Sequence, residues 1–113
     1  MKTILITGDI KPEHKLRAAK VAMQIAEQHH GVRAEVTGVS DYTANKYGLK
    51  PAPGLGKPLI KIVVAGSETL GRSRGPRADK VINMAAPTFS KHPNGRSVTF
   101  ALREAVDHCL ASA

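Results

Sequence analysis

The chain has 113 residues, of which 42% are hydrophobic, with 17 Lys+Arg against 9 Asp+Glu and a formal net charge of +8. That length and composition suit one domain, residues 1–113, with a single core, and exclude wholesale disorder. No run of about 18 apolar residues could cross a membrane, and the lone Cys109 excludes an internal disulfide framework.

The expectation is a cytoplasmic protein whose positive charge favours anionic partners: nucleic acid, phosphorylated ligands or an acidic protein surface. Aromatic residues are scarce, limited to Tyr42, Tyr47, Phe89 and Phe100. That scarcity weighs against a broad base-stacking platform.

Lys2 to Thr7 reads as a first strand, largely apolar as a strand buried on both faces should be. Gly8-Asp9-Ile10-Lys11-Pro12-Glu13 leads into a helix that runs to about His30. Pro12 suits the first turn, Glu13 the positive end of the dipole, and Gly31 the position just past the C-terminus. Leu16, Ala19, Met23 and Ala26 form one apolar stripe, widened by Ala18, Val21, Ala22 and Ile25.

Val32 to Val39 alternates apolar and polar residues and predicts a second strand. Ser40 caps a short helix over Asp41 to Lys46, ended by Gly48. Lys50 to Pro58 is rich in proline and glycine and predicts a loop. Leu59 to Ala65 is the strongest strand signal.

Ala65-Gly66-Ser67 predicts a tight turn, with Glu68 to Arg72 returning as an antiparallel partner. Ser73 to Lys80 reads as a basic loop. Val81 to Met84 is apolar but too short to assign, and Pro87 to Arg96 reads as loop. A closing helix follows from about Ser97 to Ala111. Val98, Leu102, Ala105, Val106, Cys109 and Leu110 share one face of it.

This order is similar to the thioredoxin-like fold, nearest in layout to its selenoprotein W/Rdx branch. Ser40 to Leu49 resembles the short helix after the second thioredoxin strand, with its Tyr47-Gly48-Leu49 ending. Pro58 stands directly before a strand, where that fold commonly carries a cis-proline. Ile62-Val63-Val64-Ala65-Gly66 resembles the compact hairpin of the selenoprotein W/Rdx branch. The resemblance implies an α/β (α+β), thioredoxin-like β-α-β-β-β-α sandwich with a mixed four-stranded sheet.

The redox motif of that family is missing. Its dithiol position falls near Asp9-Ile10-Lys11-Pro12, and neither a carboxylate nor a proline replaces a thiolate nucleophile. No catalytic residue is nominated, and no cofactor or metal set is recognised.

Asp9 reads as a helix cap rather than a ligand. Pro53-Gly54-Leu55-Gly56-Lys57-Pro58 has a Gly-x-Gly-Lys string, but Pro58 stands where a phosphate loop needs Ser or Thr. The five histidines are scattered apart from His29-His30, whose side chains diverge by about 100° on a helix. Cys109 reads as a buried structural residue.

The candidate binding residues for an anionic partner are Arg72, Arg74, Arg77 and Lys80, with Lys57 added to their field; a solvated basic loop explains the same run. The functional expectation is a redox-inactive thioredoxin-like binding or adaptor module that engages an acidic or phosphorylated protein partner. A nucleic-acid-associated basic protein is the second reading. The third is a small enzyme subunit like those of the phosphotransferase system, with Thr7 or Asp9 in place of the phospho-accepting cysteine.

Overall fold

The computed structural model describes residues 2–50, 54, 56–65, 78–93 and 95–111. In chain order the elements are β1 (Lys2–Thr7), α1 (Pro12–His30), β2 (Arg33–Thr37), α2 (Asp41–Tyr47), β3 (Pro58–Val64), β4 (Lys80–Asn83), α3 (Pro87–Ser90) and α4 (Arg96–Ala111). The four strands form one sheet in the order β2-β3-β1-β4, and each pairing is parallel.

Parallel pairing fixes which side chains share a face. Ile4 is level with Ile62 of β3, and Ile6 with Ile82 of β4. Ala34 and Val36 of β2 continue the row through Ile60 and Ile62. Against this face pack the apolar stripes of α1 and α4, including Ala19, Ala22, Ala26, Leu102, Val106 and Cys109, all fully or almost fully buried. Burying one of the larger aliphatic side chains here, such as Leu102 or Val106, contributes roughly 1.5–3 kcal/mol. No helix among the described residues is long and apolar enough to cross a membrane.

The sheet corrects the expected mixed arrangement. A thioredoxin-like sheet needs a strand antiparallel to its neighbours, and none of the described pairings is antiparallel. The strand beyond β1 is Lys80–Asn83, whose four residues are too few to show a period in the sequence. A parallel neighbour needs a crossover of about a dozen residues or more, and residues 65–79 between β3 and β4 have that length. The anticipated turn and return strand over Gly66 to Arg72 lie outside the described residues.

Two local expectations are also corrected. Asp9 does not cap α1: it is exposed, and the N-cap is Lys11, with no side-chain cap. Pro12 at the first helical position sets that start, because the residue before a proline is driven to extended geometry, as Lys11 is at ψ 130. Pro87 likewise starts the short helix α3 inside a stretch expected to be loop. Pro58 opens β3 with a trans peptide bond.

Other boundaries follow the sequence. Gly31 ends α1 in the left-handed region at φ 63; its N–H donates to the Glu27 carbonyl and the Val32 N–H to the Ala26 carbonyl. Ser40 Oγ accepts from the Thr43 N–H at 3.2 Å and caps α2, which ends at Gly48. Where β4 begins, Asp79 is tied to β1: the Thr3 N–H donates to its carboxylate at 2.8 Å, and Lys2 Nζ lies 3.6 Å away. Those two contacts, the backbone bond first, hold the Asp79 carboxyl below its usual range.

Candidate functional site

In a parallel sheet the loops leaving the strand ends converge on one edge, and α/β proteins place ligands there. At this edge lies a cleft of about 320 Å³. The first turns of α1 contribute Pro12, Lys15 and Leu16; the turn after β2 contributes Gly38, Val39 and Ser40. Thr43 of α2 and the β3 end, Val64 and Ala65, close it. The β1-to-β2 crossover passes over β3 in the strand order, which brings α1 beside the end of β3.

Gly38 makes the turn possible. Its φ is +86, and a Cβ there would overlap the Val64 carbonyl oxygen. Only glycine holds this conformation with the chain so close to its neighbour. Ser40 and Thr43 face the cleft with their hydroxyls 3.0 Å apart.

Lys15 is the distinctive member. It is 5% exposed, the only charged residue among the described residues to be buried. Its ammonium donates to the Ala65 carbonyl at 2.9 Å, the carbonyl just past the end of β3. An ammonium carries three N–H donors, so this bond leaves two. Among the described residues no carboxylate lines the cleft, and neither the Lys2–Asp79 pair nor the His30–Asp107 contact involves Lys15. A buried charge is costly unless it is paired and hydrogen-bonded. Among the described residues one neutral oxygen meets Lys15, at the wall of an open cleft.

A second incompletely satisfied group lies at the same edge. Thr7, the last residue of β1, is 1% exposed, and its hydroxyl has no hydrogen-bond partner. It does not line the cleft, and its burial keeps it from a phosphate donor. Cys109 is fully buried, and burial pushes its thiol up, so it stays protonated and unreactive at neutral pH.

The candidates from the sequence are distributed differently. Arg72, Arg74 and Arg77 lie outside the described residues. Lys57 and Lys80 are both exposed; Lys57 directly precedes β3 and Lys80 opens β4, with β1 between those two strands. The register sets Lys80 level with Ile62, five residues beyond Lys57. With strands about 4.8 Å apart and about 3.3 Å per residue, their backbones are roughly 19 Å apart. They do not form one patch, and both stand away from the cleft. Lys61 lies in register with Thr3 and Glu35, on the sheet face opposite the buried isoleucines.

Lys15 was legible as a break in a pattern. It occupies the stripe position of Ala19, Ala22 and Ala26, at i, i+4, i+7 and i+11, where an apolar residue belongs. Those alanines are small, and a long lysine stem can lie along such apolar surface.

The chain matches no protein-family model, no curated protein and no solved structure.

Proposed function

We propose that the protein binds a small phosphorylated ligand in the cleft at the carboxyl edge of its sheet. The observation that carries this reading is Lys15, a buried ammonium that among the described residues has no carboxylate partner and uses one of its three donors. A phosphate group would supply the missing negative charge and acceptor oxygens. The start of α1, which lines the cleft through Pro12, adds the positive end of a helix dipole. Ser40 and Thr43 add hydroxyls, while Leu16, Val39 and Val64 offer an apolar wall for the rest of a compact ligand.

This keeps the chemistry expected from the sequence, recognition of a phosphorylated partner, and moves its location from the basic run to Lys15. The cation and hydroxyls among the described residues of the site support binding.

Thermal unfolding with a series of phosphate esters tests the proposal. A ligand at about 100 times its Kd stabilises the folded state by about 2.7 kcal/mol, which raises Tm clearly. Lys15→Met keeps the stem and removes the charge, so it should abolish that rise while leaving the unliganded protein folded. An equal rise in wild type and Lys15→Met would refute the proposal.

A further inference from the structure

The outer face of α4 carries a second arrangement, separate from the cleft. Arg96, Phe100 and Arg103 recur at i, i+4 and i+7, so they line one side of the helix over a rise of about 10.5 Å. With Gly95 and Thr99 they border a shallow concavity. Phe100 is 64% exposed, although the chain has only four aromatic residues. Arg96 and Arg103 are exposed and form no hydrogen bond or ion pair among the described residues. The neighbouring acids are Glu104, one position beyond Arg103, and Asp107, which is held by His30 at 2.7 Å.

We infer that this face binds single-stranded nucleic acid, with one base stacked on Phe100 and the flanking phosphates held by Arg96 and Arg103. Charge complementarity favours this occupant: two free guanidinium groups flank the ring on a chain of net charge +8. Arginine forks match phosphate oxygens, and an aromatic face accepts any unstacked base. A duplex keeps its base faces covered and cannot use Phe100. A phosphopeptide would use the arginines without the ring. A membrane surface needs a broad apolar face, whereas this side has one large apolar residue, with Glu104 next to it.

The site spans one or two nucleotides, so binding is weak and salt-sensitive. Two phosphate contacts on a single strand give a slope of log affinity against log salt of about −1.4. Fluorescence anisotropy with labelled oligo(dT) and oligo(rU) of about ten nucleotides, between about 50 and about 200 mM salt, measures both quantities.

The Arg96→Ala/Arg103→Ala double variant should lose about tenfold in affinity and flatten the slope by about 1.4. Phe100→Ala should lose about tenfold with the slope unchanged, and Phe100→Trp should restore binding. All three positions are exposed, so circular dichroism should show each variant folded. Absence of binding at low salt would overturn the inference. So would unchanged affinity in Phe100→Ala, which would leave simple polyanion attraction. Capture by anionic vesicles without oligonucleotide binding would overturn it in favour of a lipid surface.

Discussion

Helix α1 carries Lys15 near one end and His30 at the other, and the fold treats them differently. His30, at the C-terminal end, is exposed and faces Asp107 of α4 at 2.7 Å. Lys15, near the N-terminal end, is buried, with the Ala65 carbonyl as its only acceptor among the described residues. The His30 contact is complete within the chain and sits in water, where such pairs add about 0–1 kcal/mol. The Lys15 contact is incomplete within the chain and sits out of water, where an unmet charge is costly. A surface contact can be explained by the fold alone; a buried cation with no carboxylate partner among the described residues is the basis for proposing a ligand.

Reversing the charge should give the largest effect. Lys15→Glu would set a carboxylate against the Ala65 carbonyl in a buried site, and denaturant titration should show a loss of about 3 kcal/mol or more. A loss below about 1 kcal/mol would mean that the position is solvated and the contrast with His30 false. Gly38→Ala should cost more than about 1 kcal/mol, since it forces a left-handed φ and a clash with Val64, and should weaken ligand binding with it.

Thr7→Val tests the edge from the other direction. It replaces an unpartnered buried hydroxyl with a methyl group of similar shape, and should raise stability by about 1 kcal/mol. Destabilisation instead would show that the hydroxyl does have a partner. Asp107→Ala should give the smallest change, below about 1 kcal/mol, with no effect on phosphate binding. An effect as large as that of Lys15→Glu would remove the distinction between the two ends of α1.

Helix and strand positions were mostly legible in the sequence because burial imposes a period. The stripe from Leu16 to Ala26, the Gly31 ending and the Ser40 cap each follow a local rule, and each element formed as that rule predicts. Strand order was not legible. Alternation along Leu59 to Ala65 reports which residues face inward, not which strand lies alongside, so parallel and mixed sheets read alike. β4 escaped for a related reason: of its four residues only Ile82 is buried.

The cleft was hidden more deeply, because its members come from four separate stretches joined only by the crossover over β3. Net charge pointed to clustered arginines, which lie outside the described residues; the proposed site rests instead on one lysine inside an alanine stripe.

The most direct test of the central claim is an amide NMR titration of the full chain with inorganic phosphate and then with a phosphate ester. The account predicts saturable shifts concentrated at Lys15, at Gly38 to Thr43 and at Ala65, all lost in Lys15→Met. Shifts confined to exposed cations such as Arg96 and Arg103, or the same cleft shifts persisting in Lys15→Met, would contradict it.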